Sequence, residues 1–180
     1  MSTKLMMNTK LVLTVSLWAL CLMPSYAQGK AEHKASTTYK AVTSGKKSLE
    51  VLKKAVLHDQ IEHCEVFYLP DYIESAAALE PGQVEHFYEY RFGFGLLSSH
   101  SKEMISLCNA LDKTKVGTPT PYGGDYRWGC IFYNGERQRR CSIFVDDTGT
   151  SAVINGRAVS LKGGFYLWLK SNFLPRFVSF

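Results

Sequence analysis

The spacing of apolar residues changes along the first half of the chain, and each spacing predicts an element. Apolar residues recur at helical offsets over 49–56, and the β-branched and aromatic run 64–69 predicts a strand. The aromatic run 90–97 predicts a second strand, curved because it contains two glycines. A serine, Ser99 or Ser101, then caps an amphipathic helix.

The second half of the chain predicts an antiparallel meander. Its strands are expected at 126–133, 138–145, 152–154 and 158–161, separated by turn sequences. A closing helix over 165–173 follows two glycines. The fold class is therefore α+β: a single domain, mainly antiparallel sheet with a C-terminal β-meander and two or three helices packed on one face.

The N-terminus has the layout of a signal peptide over residues 1–27. Two lysines precede the uncharged apolar stretch 11–22, and the small residues Ser25 and Ala27 favour cleavage before Gln28. The apolar stretch is shorter than the roughly 20 residues that a membrane-spanning helix needs, so no permanent membrane anchor is expected. The sequence predicts an exported protein, periplasmic or extracellular.

The composition after residue 27 indicates two further parts of the chain. Residues 28–48 are polar and lack an apolar period, which predicts a flexible leader, and residues 49–180 form the α+β domain. Removal of the two lysines of the signal peptide lowers the formal net charge from +5 to +3. That balance is too mild to favour nucleic acid as a partner.

Four cysteines remain in the exported chain, and we expect two disulfide bonds, Cys130 with Cys141 and Cys64 with Cys108. The first pair depends on the hairpin loop between its strands. A two-residue loop places Cys130 opposite Arg139, whereas a four-residue loop places it opposite Cys141, where a bridge fits.

The sharpest catalytic motif is Asp147 to Thr150 between two apolar runs, which resembles the catalytic loop of aspartic proteases. The resemblance implies a partner carboxylate from a second lobe or a dimer. A polar turn between strands is favoured instead, because the charged Asp146 precedes the motif and only 33 residues follow Asp147. An envelope hydrolase that uses Asp146 or Asp147 is the alternative function.

The other residues of the sequence do not form a recognisable catalytic motif. His63 and Cys64 are neighbours in a predicted strand, so their side chains point to opposite faces. The sequence has no zinc-ligand spacing and no nucleophile motif, and it predicts no catalytic residue, metal or cofactor.

The arginines beyond the first hairpin turn suggest a binding surface. Arg137, Arg139 and Arg140, with Tyr133 and Arg127, are able to form a cationic face that holds carboxylate or phosphate groups. A solvated hairpin whose charges prevent strand pairing is the alternative. The prediction is a small exported binding protein, for example an inhibitor or immunity-type protein. Its partner is another protein with an acidic surface or an anionic envelope component.

Overall fold

The computed structural model describes residues 43–75, 77–96, 101–119 and 124–178. The predicted signal peptide and the first part of the predicted leader, residues 1–42, lie outside this part of the chain. The described residues belong to one structural unit.

Seven strands, three α-helices and one short 3₁₀ helix (Pro81–Gln83) are present in the described residues. The strands are β1 (His63–Tyr68), β2 (Tyr90–Gly95), β3 (Thr114–Gly117), β4 (Tyr126–Tyr133), β5 (Arg139–Asp146), β6 (Ser151–Ile154) and β7 (Arg157–Gly163). The helices are α1 (residues 43–57), α2 (Lys102–Asp112) and α3 (Gly164–Val178).

The strands form one antiparallel sheet in the order β2-β1-β4-β5-β6-β7-β3. The strands β4 to β7 follow one another both in sequence and in space, which confirms the predicted meander. Asn155 and Gly156 make the two-residue turn between β6 and β7, both with positive φ. The α+β class, the antiparallel sheet and the number of helices are as the sequence predicts.

The main core lies between the helices and one face of the sheet. Alternate residues of the central strands, such as Cys130, Ile143 and Val145, pack in the same cluster as Leu52 of α1 and Phe165 of α3. Full burial of a side chain of this size stabilises a fold by roughly 1.5–3 kcal/mol. The hydroxyl of Ser101 caps α2 by accepting a hydrogen bond from a backbone N–H, as predicted.

A second, smaller cluster covers part of the opposite face, which we call the outer face. Phe67 of β1, Ile131 of β4 and Phe144 of β5 belong to one buried cluster with Val84, a residue of the segment between β1 and β2. This segment leaves the β4–β5 hairpin end of the outer face open, and the candidate site lies there.

The end of the predicted flexible leader is helical. Residues 43–48 belong to α1, and Gly45 is buried against the sheet. A Cβ atom at Gly45 would lie 3.0 Å from Val159 Cγ1 and 3.3 Å from Val116 Cγ1. The helix approaches the sheet through a residue without a side chain, so this turn lacks the apolar pattern by which helices are predicted.

The register of the β4–β5 hairpin differs from both predicted alternatives. Cys130 pairs with Ile143 and Cys141 with Phe132, and Tyr133 pairs with Arg139 across a one-residue bulge. The loop is longer than two or four residues because Asn134 organises it. The Asn134 carbonyl accepts from the Arg137 N–H at 2.9 Å, and its side-chain Oδ1 accepts from the Gln138 N–H at 2.7 Å.

The predicted disulfide pairs are not formed. Cys64, Cys108, Cys130 and Cys141 are all buried thiols. The changed register separates Cys130 from direct opposition to Cys141, and Cys108 lies on α2, where its charged neighbours are Lys53 and Asp112.

Candidate functional site

An open recess of about 730 Å³ lies on the outer face at the end of the sheet nearest the β4–β5 hairpin. We call it the outer recess. Strands β1, β2 and β4 and the hairpin loop supply its lining: Glu62, His63, Glu65, Arg91, Gly95, Tyr133, Asn134, Gly135 and Arg137. The lining is mostly polar and carries charges of both signs.

Glu65 lies at the centre of this arrangement, with its side chain 14% exposed. Arg91 of β2 donates a hydrogen bond to its carboxylate, and the Tyr133 hydroxyl donates another at 3.2 Å. His63 Nε2 lies 3.7 Å from Glu65 Oε1. The carboxylate therefore has a cation, a phenol and an imidazole around it.

These contacts decide the charge of Glu65. Burial raises the pKa of the carboxyl, whereas the hydrogen bond and positive charge of Arg91 lower it. Tyr133 and His63 lower the pKa further, so the net direction is below the ordinary value. The hydrogen bond to Glu65 raises the pKa of Arg91, and burial raises the pKa of Tyr133. Glu65 and Arg91 thus form a charged pair at neutral pH, and Tyr133 keeps its proton.

Gly93 makes room for the imidazole. It lies opposite Glu65 in the β1–β2 register, and a Cβ atom there would lie 3.0 Å from His63 Cε1. The His63 ring therefore lies over the backbone of β2, with its centre 6.2 Å from that of Tyr133. A larger residue at position 93 would push the imidazole away.

Arg137 approaches the recess from the hairpin loop. Its φ of 58° is in the left-handed region, and it closes the turn that begins at Asn134. Its side chain is exposed, and within the described residues it makes no ion pair with a carboxylate. Because the charge of Arg91 is matched by Glu65, Arg137 is the cation of the recess that is open to a ligand.

The remaining hairpin arginines point in different directions. Arg139 forms an ion pair with Glu85 at 2.9 Å and lies over the Phe144 ring on the outer face. Arg140 occupies the bulge and lines a separate groove beside Cys141 on the helix-covered side. The predicted continuous cationic face is therefore divided, because neighbouring strand residues alternate between faces.

Arg127 lies in the interior and not on the predicted cationic face. Its side chain is 8% exposed and forms an ion pair with Asp125, with Nη2 2.5 Å from Oδ2. Its Nη1 donates to the backbone carbonyls of Ile73 at 2.8 Å and of Pro70 at 3.4 Å. These contacts hold the segment after β1 against the sheet, which is a structural role.

Asp146 and Asp147 form the turn between β5 and β6. Asp146 is buried, and its carboxylate accepts hydrogen bonds from the Thr150 N–H at 2.8 Å, the Ser151 N–H at 3.1 Å and the Thr148 hydroxyl at 2.9 Å. Asp147 is exposed. The motif that resembles a protease loop has the contacts of a polar turn, and these contacts give the hydrolase alternative no support.

Two further properties of the described residues bear on function. No group of three or more His, Cys, Asp and Glu side chains in this part of the chain is arranged to hold a metal ion. None of the helices within the same residues has the length and apolar character to cross a membrane.

Sequence reasoning identified Tyr133 and Arg137 but missed the recess that joins them to Glu65. One signal was available, since His63 and Glu65 alternate with the buried Cys64 and Val66 along β1. Such alternation indicates a strand with one polar face. Arg91 comes from β2, and no local pattern shows which strand lies beside β1.

Comparisons with protein-family models, with curated proteins and with solved structures find no match to this chain.

Proposed function

We propose that this chain is an exported binding protein whose outer recess receives an acidic side chain of a partner protein. The observation that carries the proposal is the position of Arg137, an exposed guanidinium without a carboxylate partner in the described residues, at the edge of a polar recess. Export is supported by the pattern of residues 1–27 alone, because these residues lie outside the described part of the chain.

The charge distribution favours an acidic ligand group at Arg137. The negative charge of Glu65 is matched by Arg91, which leaves the Arg137 guanidinium to bind a carboxylate through two parallel hydrogen bonds. His63, with its side chain 43% exposed, offers a further donor in the same recess. Glu62 also lines the recess, and its negative charge disfavours a highly acidic surface. We therefore expect a single carboxylate of the partner to bind at Arg137.

The size of the recess and an exposed aromatic residue on the segment between β1 and β2 favour a protein over a small ion. A volume of about 730 Å³ is much larger than one carboxylate or phosphate group needs. Phe87 is 60% exposed, on the same segment that carries Glu85. Exposed aromatic residues and arginines are enriched at the energetic centres of protein interfaces.

The test is a pull-down from envelope extract with matched arginine variants. The partner should be retained by the wild type and by Arg157→Ser, which removes an exposed arginine at the start of β7. Arg137→Ser should lower the affinity for the purified partner about 10- to 100-fold, since a hydrogen bond to a charged group contributes about 1.5–3 kcal/mol. Higher salt should reduce this difference.

Equal affinity of Arg137→Ser and wild type for the partner would contradict the proposal. Circular dichroism of each variant serves as the control for folding. Phe87→Ser provides a second, independent change at the surface, and we expect it to weaken binding without changing the salt dependence.

A further inference from the structure

Two of the buried cysteines lie in contact across neighbouring strands. The Sγ atoms of Cys64 on β1 and Cys130 on β4 are 3.3 Å apart, and both residues are fully buried. Among the four described cysteines, this is the pair whose sulfur atoms lie in contact. From this geometry we propose that Cys64 and Cys130 are a disulfide-forming pair that links β1 to β4, while Cys108 and Cys141 remain thiols.

The strand register explains the contact. Cys64 pairs with Phe132, and Cys130 pairs with Val66, so the two cysteines are diagonal neighbours on the helix-covered face. Diagonal positions are separated by about 7–8 Å between Cα atoms, somewhat beyond the roughly 4.4–6.8 Å usual for a bridge, so the two strands must close slightly for the bond to form. The 3.3 Å contact means that both side chains lean towards each other, and the sulfurs need to approach by only about 1.3 Å to reach bonding distance.

The other cysteines are less well placed. Cys141 is also a diagonal neighbour of Cys130, and burial, together with the nearby Cys130, raises the pKa of the Cys141 thiol to about 12. Cys108 lies near the surface ion pair of Lys53 and Asp112, on α2. The structure thus favours Cys64 over Cys141 as the partner of Cys130 and leaves Cys108 unpaired.

The bond requires a disulfide oxidant, for which we name oxidised glutathione. One cysteine thiolate attacks a sulfur of the glutathione disulfide, which forms a mixed disulfide and releases one reduced glutathione. The second thiolate attacks the protein sulfur of the mixed disulfide and releases the second glutathione. Two protein thiols are oxidised, one glutathione disulfide is reduced, and the two thiol protons pass to the glutathione thiolates.

Burial determines when this reaction is possible. A glutathione molecule has no path to fully buried sulfurs in the folded core, and burial raises the pKa of the Cys130 thiol, which lowers its thiolate fraction. The bond should therefore form during folding, before the helices cover this face of the sheet. Once formed, it should resist reductant until the domain unfolds. This inference does not depend on the ligand of the outer recess.

The experiment refolds the full chain, carrying Cys21→Ser to remove the cysteine of the predicted signal peptide, from denaturant with oxidised and reduced glutathione. Free thiols are then alkylated, and non-reducing peptide mapping identifies the linked peptides. We expect a Cys64–Cys130 cross-link, with Cys108 and Cys141 alkylated. The cross-link should be reduced at least about tenfold faster in denaturant than in the folded chain, because the bond is buried.

A Cys130–Cys141 or Cys64–Cys108 cross-link, or four alkylated cysteines, would overturn the assignment. Two variants confirm it independently of the mapping: Cys108→Ser with Cys141→Ser should retain the cross-link, and Cys64→Ser should lose it. The mapping of the chain that carries Cys21→Ser alone requires neither variant to fold.

Discussion

Replacement of Arg127 by Met tests whether this residue has a structural role or a binding role. Methionine keeps an unbranched apolar chain in the same space and removes every hydrogen-bond donor of the guanidinium. Asp125 then loses its ion-pair partner, and the Ile73 carbonyl loses a donor at 2.8 Å. The variant therefore perturbs one polar network and leaves the packing nearly intact.

The expected loss of stability follows from burial. Removal of one partner of a buried ion pair costs about 3–5 kcal/mol, because the other charge stays in the interior. The side chain of Asp125 is 28% exposed and still accepts the Leu79 N–H at 2.8 Å, so water and that hydrogen bond reduce the cost. We expect a loss of about 2–3 kcal/mol in the free energy of unfolding for Arg127→Met. In a domain of this size, such a loss lowers Tm by roughly 5–10 °C.

The assay is urea unfolding followed by circular dichroism, with Arg157→Met as the matched control. The control removes an exposed arginine and should change stability by no more than about 0.5 kcal/mol. Asp125→Asn should cost less in the Arg127→Met background than in the wild type, because the pair is already broken. If Arg127→Met unfolds at the wild-type urea concentration and loses partner binding, the structural role is wrong.

Four further substitutions test the sheet and its turns. Glu65 has a lowered folded pKa, so its contribution to stability is present above the ordinary value of 4.5 and is lost as the pH falls through the folded value. The Tm difference between wild type and Glu65→Gln should therefore shrink between about pH 5 and pH 3, and a constant difference would contradict this. Asp146→Asn should cost about 1–2 kcal/mol in urea unfolding, and Asp147→Asn less than about 0.5. Equal losses would argue against the turn. Gly149→Ala should cost more than about 1 kcal/mol, since φ is +73° and the Tyr166 ring occupies the Cβ position. Unchanged thermal unfolding of that variant would refute the close contact.

The sequence predicts the meander well because the residues that specify each turn and strand lie within that turn or strand. The turn residues Asn155 and Gly156 adopt positive φ at low cost, and the β-branched and aromatic residues of β4 and β5 are buried along almost the whole of both strands. The Ser101 cap of α2 is predictable for the same reason, since the Met104 N–H that donates to its hydroxyl lies only three residues away.

The wrong predictions arise where one residue changes the local backbone geometry or where segments distant in sequence pack together. The bulge before Cys141 shifts the register of β5, on which the predicted Cys130–Cys141 pair depended. The predicted Cys64–Cys108 pair depended on how α2 packs against β1, which no local pattern in the sequence shows. The first turn of α1 was missed because Gly45 makes the contact with the sheet. The outer recess was missed because β2 pairs with β1 from a position far along the chain.

Strand β1 contributes residues to both proposed sites, one site on each of its faces, so the two proposals can be tested separately. Cys64 points into the core towards Cys130, and Glu65, the next residue, points into the outer recess towards Arg91. Cys64→Ser removes the proposed cross-link without removing any recess side chain. Arg137→Ser changes the recess without removing any cysteine. If Cys64→Ser weakens partner binding as much as Arg137→Ser does, the pairing of β1 with β4 controls the recess, and the two faces are not independent.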